Sequence, residues 1–319
     1  MSAISLGSRP YVSHPTYADI IHMHSRIKKG MSRRELSERS SGTHTPSFRA
    51  YEKSRCEEVL GAGQDRNSAS CNAFLGLPMK AVPCAPSSSP GRVPRIYHAT
   101  GSSSSPSHLV RANALANPSY RLHYANDSAA DAYIRARCGE DVHKSFRCIR
   151  APAYRADLFR FCALVSEGGV YLDGDLALLQ PLEETYSPCA TATVGHDFPW
   201  GGVPGKQMKI VAGVPRAPLF QCMLERIVGH VRRRAPFPIG TLAFSGPALL
   251  HRCFEDVPHD DMAITYRDTR GALWPWSGMR NDTHVFAHEV GIASKGTHYA
   301  SKEFASLGMY LPECTLTGL

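Results

Sequence analysis

An α/β layered domain behind a basic, low-complexity N-terminal segment is the fold class that this 319-residue sequence predicts. Three observations predict it. From residue 93 onward, short apolar strands alternate with helical segments, the pattern of strands and helices packed in layers. One helix, Tyr154–Glu167, stops at Gly168-Gly169 and runs directly into an apolar strand. Residues 1–91 lack sustained periodicity and are rich in Ser, Gly, Pro and charge, a composition that buries too little apolar surface to offset chain entropy. The chain reads as tail plus linker over residues 1–91 and a folded domain over 92–319.

Within the first segment, only Tyr17–Lys29 has local helical character. Order begins with a strand at Val93–Thr100, followed by the serine loop Gly101–Pro106. Tyr120–Ala125 alternates as a strand, and Asn126-Asp127-Ser128 offers N-caps for a helix over Ala129–Arg137. Helix Tyr154–Glu167 carries a broad apolar stripe through Leu158, Phe161, Cys162, Leu164 and Val165. Gly168-Gly169 supplies the left-handed turn that ends it. Val170–Leu172 is then a short buried strand, with Asp173-Gly174-Asp175 at its carboxyl end, where α/β sheets place ligand sites. Further strands are expected at Thr191–His196, Lys209–Gly213 and Met262–Arg267, and helices at Pro218–Arg233 and from Ser245-Gly246-Pro247 to Cys253. Trp274–Ser277 and Thr283–Ser301 read as loops.

Charge narrows the function classes. Residues 1–92 hold 13 of the 36 Lys/Arg but only 7 of the 28 Asp/Glu, so most of the net +8 belongs to the N-terminal segment. The folded domain has no basic character that would point to nucleic acid. No apolar run approaches the ~18 residues of a membrane span, and the N-terminus lacks the apolar core of a secretory signal. The basic, Ser- and His-rich start is compatible with a solvated tail, an organelle transit peptide, or an N-terminus that has lost an anchor. The ten cysteines form no C-x-x-C pair, which argues against a zinc site. Several lie in apolar segments as small core residues, which favours a reducing compartment and leaves one or two disulfides open.

The chemistry concentrates around Asp173 and Asp175. Two carboxylates at i and i+2 at a strand end can face one hard divalent cation, with Gly174 allowing close approach. Such a cation neutralises the diphosphate leaving group of a nucleotide-sugar. A calcium loop starting at Asp173 fails, because Ala177 and Leu178 stand where a ligand and a glycine are required. A phosphatase of the haloacid-dehalogenase type also places D-x-D after an apolar strand. Its usual Thr or Val is Ala177 here, and its motif opens the domain rather than following some 80 residues of ordered chain. Asp157 and Arg160, at i and i+3, share a helix face. Alone they read as a surface ion pair worth little. Their apolar neighbours Leu158, Phe159 and Phe161 make them a partly buried pair, suited to accept from and donate to sugar hydroxyls.

Taken together, Tyr154…Asp157…Arg160, Gly168-Gly169, and Tyr171-Leu172-Asp173-Gly174-Asp175 resemble the signature of glycosyltransferase family 32, the group with a DXD sugar-binding region. Val93–His98 resembles that family's opening strand, Asn117–Tyr120 with Asn126-Asp127 its N-P-x-Y segment, and Ser245-Gly246-Pro247 its T-G-P. The resemblance spans roughly residues 93–300. It implies a GT-A-type, Rossmann-like mixed sheet with flanking helices, a nucleotide-sugar donor (UDP- or GDP-hexose), Mn²⁺ or Mg²⁺, and retaining transfer to a glycan, glycolipid or protein. By position, Asp157 and Arg160 would hold the donor sugar and Asp173 would contact hydroxyls or the metal. Asp175 would be the direct metal ligand, Tyr171 would line the nucleotide pocket, and His98 would lie near the base. No protein base is implied. Two features depart from the pattern: no Asn precedes Lys209–Gly213, and the closing H-x-x-x-S-W is replaced by His288…Ser294-Lys295. His288 is thus a candidate metal contact, with His284 and His298 as rivals. A non-catalytic descendant that binds sugar-nucleotide or glycan is the alternative of a different class. Eukaryotic members of the group are typically Golgi membrane proteins, whereas this chain shows no integral membrane segment.

Overall fold

The computed structural model describes residues 65–84, 93–198, 204–234, 241–268, 278–280, 285–290, 308–312 and 314. The elements are α1 Asp65–Gly76, β1 Ile96–Thr100, α2 His108–Ala116, β2 Arg121–Ala125, α3 Asp127–Arg137, α4 Glu140–Cys148, α5 Pro152–Glu167, β3 Gly169–Leu172 and β4 Leu176–Leu178. They continue with β5 Ala192–His196, β6 Lys206–Gly213, α6 Pro218–Arg232, the short α7 Thr241–Phe244, α8 Pro247–Asp256, β7 Met262–Asp268, β8 Gly278–Arg280 and β9 Val285–Glu289.

All nine strands among the described residues belong to one mixed sheet in the order β2-β1-β3-β6-β5-β7-β8-β9-β4. β2, β1 and β3 run parallel, and β6 is antiparallel to both β3 and β5. β4 closes the far edge against β9. β3 and β4 stand six places apart in the order yet are joined only by Asp173-Gly174-Asp175. A flat sheet would separate them by roughly 29 Å. The link reaches no more than about 14 Å. The sheet therefore curls until its far edge returns to β3, which brings β9 beside the link.

Local signals account for the central unit. α5 begins with Pro152 at its first turn, where the missing N–H costs nothing. Its residues Leu158–Leu164 are all buried, as expected of a helix sunk between layers. Gly168 caps it with φ 64°. Gly169 follows at φ 103°, where a Cβ would sit 2.6 Å from the Ile96 carbonyl oxygen, so this corner admits only glycine. The expected cap of α3 is formed by Asn126, whose side chain accepts from the Ala129 N–H at 2.9 Å. A large core of α5, α6 and α8 side chains lies on one face of the sheet; Tyr97, Val170, Leu172 and Leu176 pack on the other.

Three expectations differ from the structure. Residues 65–84, assigned to tail and linker, are ordered: α1 packs Cys71 and Phe74 against Phe198, and Lys80 exchanges backbone hydrogen bonds with Ile264. The rest of residues 1–92 lies outside the described residues, as do Trp274–Ser277, His284 and His298. Part of Thr283–Ser301 is the strand β9, whose pairing with β4 and β8 is non-local. The described cysteines are not free core thiols. Cys84–Cys189, Cys138–Cys162, Cys148–Cys314 and Cys222–Cys253 are disulfides, Cys71 is also paired, and no described cysteine is free. Their separations of 24 to 166 residues explain why linear spacing did not announce them. Among the described residues no helix is long and apolar enough to cross a membrane.

Candidate functional site

Arg160 organises the site from the middle of α5. Its side chain is almost fully buried, and it donates from Nη1 to Asp157 Oδ1 at 2.9 Å and from Nη2 to Asp173 Oδ1 at 2.7 Å. The guanidinium lies 4.3 Å over the Tyr171 ring, so the cation meets an aromatic face below and carboxylates at its edge. Ser245, just before α8, donates to the other oxygen of Asp157 at 2.7 Å. Burial pushes the Asp157 carboxyl up to about 6 despite the opposing pull of Arg160 and Ser245.

Tyr171 is fully buried beneath Arg160, and its hydroxyl shares a 2.9 Å hydrogen bond with Thr100 at the end of β1. Thr100 in turn lines an open cavity of about 630 Å³, bounded by the serine loop, Ser107, Arg111, Tyr124 and Asp173-Gly174-Asp175. Ser107 joins the walls: it caps α2 by accepting from the Val110 N–H and donates to the Gly174 carbonyl at 3.3 Å.

Asp175 sits at the turn into β4, its carbonyl held by the Val290 N–H at 2.7 Å. Its Oδ1 is buried and has no hydrogen-bond partner among the described residues. Burial, followed by the charges of Asp173 and Glu289, raises its carboxyl to about 7, with Lys209 pulling the other way. An orphaned carboxylate oxygen amid further carboxylates is a donor set that suits a hard divalent cation.

Of the residues selected from sequence, Asp157, Arg160, Tyr171 and Asp173 are thus in one bonded chain, and Asp175 follows within the same loop. His98 stands apart from the cavity. It is fully buried; its Nε2 must donate to the Gly168 carbonyl at 2.8 Å, and its Nδ1 lies 2.9 Å from His123 Nδ1. Burial, with the neighbouring His123 and Arg121, lowers its pKa to about 3, so the ring is a neutral pin between β1 and the α5–β3 corner. His98, His123 and Glu167 are the one described group whose metal-ligating atoms lie within 4.8 Å of one another. The guanidiniums of Arg121 and Arg137 already flank Glu167, which disfavours a further cation there. His288 lies on β9 opposite Ala177, and burial lowers its pKa. Alternation along the strand turns it away from the face of its neighbour Glu289.

Glu289 is what the sequence did not reveal. It is buried, and it contacts Lys209 of β6. Buried Asp268 lies 4.0 Å from the same ammonium. No local pattern marks these residues, because the curled sheet alone brings β6, β7 and β9 together. Ser245 did carry a signal, the S-G-P motif, though not its bond to Asp157.

Comparison with known proteins bears on this geometry. Residues 108–191 match the family model described as a glycosyltransferase sugar-binding region containing a DXD motif. A 73-residue stretch is 34% identical to the initiation-specific alpha-1,6-mannosyltransferase of Candida albicans, covering 22% of this chain and about a fifth (19%) of that protein. Among solved structures, the PaToxG glycosyltransferase aligns over 67% of this chain and 81% of its own length, at 14% identity and a TM-score of 0.41. Asp157, Arg160, Tyr171, Asp173 and Asp175 all fall inside the family match: residues 108–191 of this chain are similar to the DXD-containing sugar-binding region of glycosyltransferases, the group that its motifs also resemble.

Proposed function

We propose that this chain is a metal-dependent, retaining glycosyltransferase that moves a hexose from a UDP- or GDP-sugar to a glycan, lipid or protein acceptor. The observation that carries the reading is the linked chain Asp157–Arg160–Asp173, which ends at Asp175 and its orphaned buried oxygen. Asp175, Asp173 and Glu289 would hold Mn²⁺ or Mg²⁺. When bound, the ion stabilises negative charge on the departing diphosphate. Asp157 and Arg160 orient donor hydroxyls, since a carboxylate and a guanidinium fixed against each other accept and donate in one plane. The first turn of α2 opens beside the cavity, and its N–H groups suit phosphate oxygens.

In the transfer, the acceptor oxygen bonds to the anomeric carbon on the face the diphosphate leaves. The carbon–phosphate-oxygen bond breaks with its electron pair going to the diphosphate, and a leaving phosphate oxygen takes the acceptor proton. No side chain is required as base. The mannosyl transfer named for the yeast relative makes a mannose donor the first to test. The described disulfides favour an oxidising compartment such as the secretory lumen.

Incubation of the purified protein with Mn²⁺ and a panel of UDP- and GDP-hexoses tests the reading. Donor hydrolysis or transfer that is lost with chelator, and reduced at least ~100-fold in Asp175→Asn, is the expected result. Near-normal turnover in that variant sinks the proposal. Donor binding without turnover indicates a non-catalytic descendant, and cleavage of phosphate monoesters a phosphatase.

A further inference from the structure

The cation-binding face of the site already contains a cation. Lys209 is fixed by its backbone, because its carbonyl accepts the Asp173 N–H at 2.9 Å. Its side chain is largely buried and runs to Glu289 Oε2 in an ion pair. The same ammonium lies 4.0 Å from Asp268 Oδ2 on the opposite flank. Glu289 is the residue before Val290, whose N–H holds the Asp175 carbonyl, so the Lys209–Glu289 pair closes directly behind the Asp173–Asp175 link. In this arrangement Glu289, Asp173 and Asp175 do not draw their oxygens together: among the described residues the one metal-sized cluster is the histidine group elsewhere.

A divalent ion held by Asp175 and Glu289 would meet the ammonium across a shared carboxylate, in surroundings where water screens little. Like charges so placed repel, and Lys209 is the one on a flexible stem. Asp268 offers it a second resting place. We propose that Lys209 is a tethered counter-cation that neutralises Glu289 in the metal-free site and hands it over when the metal binds, moving toward Asp268. This deepens the metal-dependent reading above and rests on it. The consequence is a site of deliberately modest affinity for free metal, which loads best when a donor diphosphate adds negative charge.

The test is Mn²⁺ binding without donor, followed by electron paramagnetic resonance or calorimetry, on variants whose folding is checked by thermal melts. Lys209→Met is expected to bind Mn²⁺ at least ~10-fold more tightly than wild type, a gain equivalent to about 1.4 kcal/mol. Lys209→Arg, which keeps the charge, stays within about threefold of wild type. Asp268→Asn, which removes the second resting place, binds more weakly. A purely structural role would weaken Lys209→Met and Asp268→Asn alike, so equal or weaker binding in folded Lys209→Met overturns the proposal. Loss of binding in Asp175→Asn with no change in Lys209→Met removes the Lys209 inference and leaves the metal site standing. Absence of binding in wild type and in every variant removes both.

Discussion

Replacing Arg160 by Met takes away one buried cation and leaves two carboxylates facing each other. Arg160 is 4% exposed and bonds Asp157 and Asp173 at 2.9 and 2.7 Å. Removing one partner of a buried ion pair costs about 3–5 kcal/mol. The Asp173 side chain keeps 25% of its exposure and can recruit water, which places the loss near the lower end. About 3 kcal/mol lowers the melting temperature by about 6–12 °C in a domain of this size. The loss depends on pH. The fold raises the Asp157 carboxyl from 3.8 to about 6, so its stability contribution is present below pH 4 and is lost as pH rises through 6. Without Arg160 the carboxyl rises further, so the variant is penalised more at pH 7.5 than at pH 5. Urea and thermal denaturation at both pH values, under non-reducing conditions, give the two differences. Asp157→Asn in the Arg160→Met background should recover part of the loss. A variant within about 0.5 kcal/mol of wild type, or one equally destabilised at both pH values, refutes the assignment of Arg160 as a buried ionic hub.

Two further outcomes follow from the core. The nine described cysteines should yield no titratable thiol in the denatured protein before reduction, and the double Cys84→Ser, Cys189→Ser variant, which opens a bridge of 105 residues, should lose roughly 4–5 kcal/mol on the chain-entropy estimate; more than one free thiol at the outset contradicts the disulfide framework. His98, held at about 3 against 6.5 in the unfolded chain, contributes stability that is present above pH 6.5 and drains away as pH falls toward 3, because only the unfolded chain takes up the proton. His98→Gln can still donate to Gly168, and its stability should fall less steeply over that window in pH-dependent urea melts; an unchanged slope places the titration elsewhere.

How much was legible in the sequence follows the range of each interaction. The unit from Tyr154 to Asp175 was readable because each of its signals is local. The apolar spacing gave α5, the two glycines gave its stop, and the i, i+3 spacing put Asp157 beside Arg160, as the 2.9 Å bond has it. The cap at Asn126 was readable for the same reason. His98 was marked by its motif, but position in a motif does not reveal that both ring nitrogens are used inside the protein. α1 was missed because its own composition is poor, and what it packs against is Phe198, far along the chain, with Lys80 just after it bonded to Ile264.

By itself the sequence determined the α/β class, the central helix–turn–strand unit and the placement of the acidic pair at a strand end, since these depend on steric preferences and periodicity within some twenty residues. The tertiary structure alone decided which side chains complete the site. Ser245 reaches Asp157 across 88 residues, and Lys209 reaches Glu289 across 80. It also decided the disulfide pairing. The physical reason is the short link Asp173-Gly174-Asp175, which forces a nine-stranded sheet to curl and return its far edge to β3. No pattern in the linear chain encodes which residues that closure will bring face to face.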